Sequence, residues 1–585
     1  MGSSAEESPF KGRSETGNSG SCSKCLMLRV ALLALTFTCA SILLPFEVVF
    51  AGDLTNKVRD ILRTRISPSL GSQKIACRME LLCGSQVLPR FYSNRNFLPA
   101  WIANDEPGRL AANLVRAIQD APQEGLRPED YHIRSIEELI AEIRYRMVMQ
   151  KPVEAEKLAD LDLLLSDAFL LYGSHLSTGR VNPETIRSRW NIKGRDLDLV
   201  QVLQCALDEG RIGTAIEKLR PPHSGYRTLK VALLRYRKLS EMGGWPVVPG
   251  GANLKKGNRG ERVAVLRSRL ADDLGLATPL SEENPDFFDE ALQQAVERFQ
   301  KRHGLKMDGI VGAATIAALN VAVEDRVHQI QLNLERWRWL PHDLGERHLL
   351  VNTANFELAI VENDRVVSTM RVIVGKTYRS TPVFTGRVTY MVLNPYWHIP
   401  QKIAREDILP NIKEDPQYPA RHKIRVFESW QEEAREVDPG SVNWSEVTTE
   451  NFSFKLVQDP GPLNALGRIK FMFPNKFSVY LHDTPQRSLF DQARRSFSSG
   501  CIRIESPLEL ADYLMGDVQE WSHDKMLEAI QRGVTQVIRI PNPIDIHLLY
   551  WTAWVDQEGT LHFREDIYGR DKALAEALAE KPPAP

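Results

Sequence analysis

Three things are scarce in this chain: net charge, cysteine and long apolar runs. Its 74 basic and 75 acidic residues leave a net charge of −1 over 585 residues. With no global field to attract a polyanion, nucleic acid is not an expected partner. Of the seven cysteines, Cys22 and Cys25 form a C-x-x-C pair with no second pair after it. A zinc or redox reading therefore has nothing to complete it, and no metal is expected. The apolar run that stands out covers residues 30–44, follows Lys24 and Arg29, and is broken by Pro45 and Glu47 before Val49-Phe-Ala51. It reads as a secretory signal over 1–51, with translation starting at Met27 and export to the periplasm. An uncleaved inner-membrane anchor over 30–50 is the alternative. Thr36-Phe-Thr38 ahead of Cys39 lacks the small residues of a lipoprotein cleavage box.

Chemistry is concentrated late in the chain. His482 sits in Tyr480-Leu-His-Asp-Thr-Pro485 and Cys501 in Phe497-Ser-Ser-Gly-Cys-Ile-Arg503. A free thiol is only a few per cent thiolate at neutral pH, so a nucleophilic cysteine needs an imidazole or a cation beside it. Gly500 permits a tight turn in which main-chain N–H groups converge on an oxyanion. In extended backbone, residues 501 and 503 share a face, so thiol and Arg503 guanidinium would look into one pocket. The opposing reading is that a cysteine is buried packing.

The pattern resembles the signature of the L,D-transpeptidases with a YkuD catalytic domain: histidine, one residue, a spacer, then Ser/Thr-His-Gly-Cys, an apolar residue and Asn or Arg. Here fourteen residues, 484–497, separate Asp483 from Ser498-Ser-Gly-Cys-Ile-Arg503. Ser499 stands where many members have histidine. The large YcbB-like branch is the more similar one. Asn333-Leu-Glu-Arg-Trp-Arg-Trp-Leu-Pro341, Leu393-Asn-Pro-Tyr-Trp-His-Ile-Pro400, Gly461-Pro-Leu-Asn-Ala-Leu-Gly467, Lys470-Phe-Met-Phe-Pro-Asn475 and Ser174-His-Leu-Ser-Thr-Gly-Arg-Val-Asn-Pro183 all resemble it.

The expected fold is multi-domain α+β. Apolar residues at three- and four-residue steps (Leu161, Leu164, Leu165, Ala168, Phe169, Tyr172) predict a helical scaffold domain over 52–242, and a Gly/Pro-rich linker follows at 243–252. Residues 253–320 resemble a three-helix peptidoglycan-binding domain, with an apolar stripe at Phe288, Leu292, Ala295, Val296 and Phe299. A helical unit that only docks on its neighbour is the alternative. Period-two patterning beyond Arg347, with an Asn363-Asp364 turn, predicts a β-rich catalytic domain over 321–571. The charged stretch 401–449 is expected to form a capping subdomain that excludes water from a thioester. A short helix and tail complete 572–585. Cys77 and Cys83 are close enough in sequence to pair, Cys205 reads as a buried helix residue, and Trp337, Trp339 and His175 read as packing.

The resemblance implies that Cys501 attacks the L,D bond of a peptidoglycan tetrapeptide stem. His482 would be the base, Asp483 its orienting neighbour, and Gly500, Cys501 and Tyr480 the oxyanion donors. Arg503, Ser499, Trp397 and His398 would bind substrate. Carbapenem-type β-lactams are the implied covalent inhibitors, and no cofactor is implied. Water or a protein lysine could replace the amine acceptor, and a wall-binding scaffold with a silent cysteine site is the reading of another class.

Overall fold

The computed structural model describes residues 50–67, 74–78, 80–104, 106–186, 190–192, 194–274, 284–516 and 518–580. The expectations about the signal, Met27, Cys22, Cys25 and Cys39 fall outside them. Among the described residues no helix is long and apolar enough to cross a membrane.

The amino-terminal part is helical and is organised around one helix, Ala155–Thr178, which is buried on nearly every side. Its Ala- and Leu-rich sequence favours the helix, and its all-round apolar surface requires neighbours on all faces. Those neighbours include Arg109–Gln119, Ile133–Val148, Leu199–Asp208 and Ile212–Leu219. His175 is buried there, its Nδ1 3.1 Å from the Tyr131 hydroxyl. Burial, then the charges of Arg180 and Arg338, lower its pKa to about 3.

Two of the cysteine expectations need correcting. Cys77 and Cys83 are separate thiols rather than a disulfide. The Cys77 thiol turns instead to Asp160, with Sγ 3.3 Å from Oδ1. Cys205 does lie on a helix, Leu199–Asp208, but is only half-buried.

Helices Glu261–Leu274, Glu290–Arg302 and Ala313–Leu319 enclose a small core of their own. The stretch 243–252 does not hang free between units. Val248 is fully buried in that core, its N–H donates to Asn320 Oδ1 at 2.8 Å, and the Trp245 indole donates to Val321 O at 3.1 Å.

The linking helix Val323–Arg338 joins the parts through buried charge. Arg338 pairs with Glu335 at 2.8 Å and donates to Glu124 O, while Glu335 also accepts from Val181 N at 2.8 Å. The motif around Gly179 thus meets the motif around Trp337, although more than 150 residues separate Val181 from Glu335. Trp337 and Trp339 are both buried, with Trp337 stacked on Trp551 at 4.3 Å. That is the packing role expected of them.

The carboxy-terminal region is built on strands β1 (Arg347–Asn352), β2 (Glu357–Glu362), β3 (Arg365–Gly375), β4 (Val383–Leu393), β5 (Ile469–Met472), β6 (Leu481–His482), β7 (Ser496–Ser498), β8 (Ile502–Ile504) and β9 (Gln536–Leu549). Their order is β5-β6-β8-β3-β2-β1-β9-β4, and β4 pairs again with β5, so the sheet closes on itself. Closure removes free edges. Asn363 and Asp364 make the β2–β3 turn at φ 50° and 62°, the left-handed geometry that a two-residue hairpin needs. Strand β9 is 14 residues long. Pro541 and Pro543 obscure its pattern, and they fall where its pairing with β4 slips between Arg539 and Ile544.

Between β4 and β5 lies a small unit with its own sheet, ordered Trp397–His398, Lys455–Gln458, Ile424–Phe427, Glu436–Val437. Ile399, Ile408, Ile412, Val426, Trp444 and Leu456 form its core. This unit extends beyond 401–449 at both ends, because its first and last strands in the chain, Trp397–His398 and Lys455–Gln458, pair with each other. At the carboxyl end, helix Arg570–Ala579 starts before residue 572 and buries Leu574.

Candidate active site

Strand pairing gathers the site. His482 on β6 is level with Lys470 on β5 and with Arg503 on β8. Side chains two apart along a strand share a face, so Tyr480 joins His482, and Cys501 joins Arg503, on that surface. The carbonyl of Tyr480 accepts from Ile502 N at 3.1 Å, extending the β6–β8 pairing to the residue beside the cysteine.

His482 is buried at 4% exposure, and its Nδ1 lies 2.6 Å from Asp483 O. A carbonyl can only accept, so Nδ1 carries the hydrogen and Nε2 keeps its lone pair. Burial, then the Arg503 charge, lowers the imidazole pKa to about 3, against a smaller upward effect of the Asp483 carbonyl. Burial pushes the Cys501 thiol up, while Tyr480, Lys470 and Arg503 pull it down. Both shifts favour the uncharged forms, thiol and neutral imidazole, at neutral pH.

The Cys501 thiol is 3.8 Å from Ser478 O. Ser478 holds a positive φ of 56° in a turn organised by Asn475. Asn475 Nδ2 donates to Phe473 O at 2.6 Å and to Val479 O at 2.7 Å, and its Oδ1 accepts from Phe477 N at 3.0 Å. The Tyr480 phenol interacts with both the Cys501 thiol and the Trp397 side chain, and burial followed by the cysteine charge keeps it protonated. Trp397 is thereby brought to the site from the small inserted unit. His398 is exposed, and burial of its ring, then Lys455 and Lys470, lower its pKa.

Asp483 acts through its surroundings. Its N–H donates to Ile469 O at 2.9 Å and its Oδ2 accepts from Arg468 N at 2.8 Å. Gly467, at φ 63°, leaves room for that carboxylate. Asn464, 1% exposed, sets the preceding turn by donating to Pro395 O at 3.0 Å and Asp459 O at 2.9 Å.

Gly500 adopts φ 118°, and its carbonyl accepts from Thr381 Oγ1 at 2.9 Å. Its N–H donates to Ser498 Oγ at 3.1 Å. The expected oxyanion role of Gly500 therefore meets an internal competitor, because an N–H already bound must exchange partners to serve a substrate. The Cys501 N–H is the adjacent main-chain donor. Ser499 is exposed and accepts from Arg379 Nη1 at 2.8 Å. Arg379 also pairs with Asp407 and, at 2.5 Å, with Glu406 of the inserted unit. Arg503 Nη1 donates to Gln486 Oε1 at 2.7 Å.

The residue reading missed Lys470 and Arg379. Lys470 was legible as part of a motif, but its role depends on strand register. Arg379 carried no sequence signal.

A closed sheet thus presents a thiol, an oriented imidazole and two cations together. Family models match three stretches of the chain. The "L,D-transpeptidase catalytic domain" (YkuD) matches residues 346–538, the "Putative peptidoglycan binding domain" residues 259–319, and a "Scaffold domain" residues 86–233. Residues 346–538 thus match the model of the L,D-transpeptidase (YkuD) catalytic domain. A protein of Haemophilus influenzae (strain ATCC 51907 / DSM 11121 / KW20 / Rd) named "Putative L,D-transpeptidase" is 32% identical over 248 residues, which is 42% of this chain. The match spans about half of that relative, 48% of its length. Among solved structures, the L,D-transpeptidase (residues 123–326) from Xylanimonas cellulosilytica DSM 15894 is 16% identical with a TM-score of 0.16, covering 52% of this chain and 99% of that one. A fused Zn-dependent amidase/peptidase/peptidoglycan-binding domain-containing protein from Clostridium acetobutylicum ATCC 824 is 12% identical with a TM-score of 0.13, covering 51% and 100%. Likeness at those scores says nothing about this chain.

Proposed function

We propose that the chain is a cysteine-dependent L,D-transpeptidase that acts outside the cytoplasm on peptidoglycan tetrapeptide stems and forms 3→3 cross-links. The observation that carries this reading is His482: its Nδ1–H is held by Asp483 O, which leaves Nε2 as the ring's acceptor, and strand pairing sets it level with Arg503, two residues from Cys501.

In this mechanism Cys501 Sγ attacks the carbonyl of the bond between the third stem residue and the terminal D-Ala. The thiol proton passes to His482 Nε2 and then to the amine of the departing D-Ala, leaving a thioester. The side-chain amine of a second stem attacks that thioester and loses its proton to Nε2. The cross-link forms, and the proton returns to the thiolate. The Cys501 N–H and the Tyr480 hydroxyl serve as oxyanion donors, and the Gly500 N–H joins them once it leaves Ser498. Arg503 faces a carboxylate of the donor. The inserted unit, through Trp397, shields the thioester from water. The three-helix unit at 259–319 would hold the wall polymer nearby.

Mass spectrometry of wild type and Cys501→Ala with disaccharide-tetrapeptide tests the proposal. A thioester adduct and dimers in wild type alone are the expected result. Tripeptide without dimer would replace it with hydrolysis, and no reaction in either protein would leave a wall-binding scaffold. Covalent labelling of Cys501 by a carbapenem is the companion expectation.

A further inference from the structure

Lys470 has no assigned role, yet its register places it at the centre of the site. Lys470, His482 and Arg503 form one row across β5, β6 and β8. Strands lie about 4.8 Å apart, so the two cationic residues stand roughly 10 Å apart with the imidazole between them. Lys470 is half-buried, and its Nζ sits 4.0 Å above the Tyr480 ring. Among the described residues no carboxylate pairs with Lys470 or with Arg503. The nearby acid, Asp483, is turned away to Arg468 N at 2.8 Å and Arg487 at 3.3 Å.

Retaining an ammonium in a half-buried site without a counter-ion costs free energy. Cation–π contact with a phenol ring returns only about 0.5–2 kcal/mol. Burial accordingly lowers the pKa of both cations, and Cys501 is the charge that opposes this for each. A single thiolate would carry one negative charge against two cations, one on each side of His482. Charge balance in the occupied site must come from the ligand.

We propose that Lys470 is a carboxylate receptor for the acyl donor, on the side of His482 opposite Arg503, so that the site selects peptides carrying anionic groups on both sides of the scissile bond. This rests on the reading of the site as an acyl-transfer centre and deepens it by naming what the donor must carry.

The test uses the full chain and two thiol reagents of similar size, iodoacetate and iodoacetamide, with alkylation followed on the Cys501 peptide by mass spectrometry. The ratio of the two rates cancels the thiolate fraction and reports the local field on an anion. Lys470→Met is expected to lower the iodoacetate-to-iodoacetamide ratio at least fivefold, with Lys470→Arg restoring most of it. Stoichiometric iodoacetamide labelling of both variants verifies that the site is formed. Equal slowing of both reagents, with the ratio unchanged, would make Lys470 a stabiliser of the thiolate only and overturn the proposal. With a tetrapeptide donor, Lys470→Met should raise KM at least tenfold with a smaller change in kcat, and a donor amidated at its terminal carboxylate should be indifferent to the substitution. A shifted reagent ratio in a protein inactive on every stem would retain Lys470 as an anion receptor and sink the transpeptidase reading. An unchanged ratio in an active enzyme would sink Lys470 alone.

Discussion

Gly467 and the carboxylate of Asp483 compete for the same space: a β-carbon on Gly467 would lie 2.3 Å from Asp483 Oδ2 and 2.5 Å from its Cβ. The residue whose carbonyl holds the His482 ring is therefore seated against a position that only glycine can fill. Gly467→Ala meets that clash and also the left-handed backbone, which costs an L-residue about 1–2 kcal/mol. The expected outcome is a loss of at least tenfold in kcat, with the fold retained by circular dichroism. Unchanged turnover would mean that Asp483 can move without disturbing His482.

Acid should destabilise the protein through its buried neutral histidines. The pKa values of His482 and His175 are lowered to about 3 and that of His547 to about 4, in each case chiefly by burial. The unfolded chain, with imidazoles near 6.5, binds these protons and the folded chain does not. Their contribution is complete above about 6.5 and falls as pH drops from there toward 3. Thermal melts between pH 7 and 4 should show a progressive fall, and His175→Gln should make it shallower. A flat profile over that range would show that these rings accept protons without loss of fold.

Arg379 clasps the inserted unit to the cysteine loop through Glu406, Asp407 and Ser499. Arg379→Met should free the unit at this point, so limited proteolysis within 401–449 is expected to speed up severalfold, and hydrolysis of the thioester to rise relative to cross-linking. Identical cleavage rates in both proteins would place the hold on the unit elsewhere.

The Trp337–Trp551 stack, at 4.3 Å, joins the linking helix to the segment that follows β9. Truncating such a buried aromatic costs about 3–5 kcal/mol. Trp337→Ala should shift the chemical denaturation midpoint downward for the helical and catalytic parts together. A shift confined to one part would show that they unfold independently.

Much of the site was legible in sequence because it rests on local rules. The 501/503 spacing predicts a shared face, the turn at Asn363-Asp364 predicts its hairpin, and His482 beside Asp483 needs only one residue of chain to reach its carbonyl. What escaped depends on segments far apart. Lys470 meets His482 only when β5 and β6 pair in one register. Arg379 finds Glu406 and Asp407 across a break between β3 and the inserted unit. One local feature escaped as well: the Gly500 N–H looked free because Ser498 Oγ, two residues away, reaches it only through the sharp turn. The Cys77–Cys83 pairing failed because Asp160, some 80 residues away, draws the Cys77 thiol aside.

By itself, the sequence determined the kind of elements and which two residues are candidates for reaction, with their order along the chain, since helix and strand periodicity and i, i+2 faces are properties of the local backbone. The tertiary structure alone decided which cations stand beside the imidazole, where the inserted unit attaches and which glycines are indispensable. Those are set by strand register and by contacts between distant segments, and neither spacing nor composition encodes the distance between two atoms that only folding brings together.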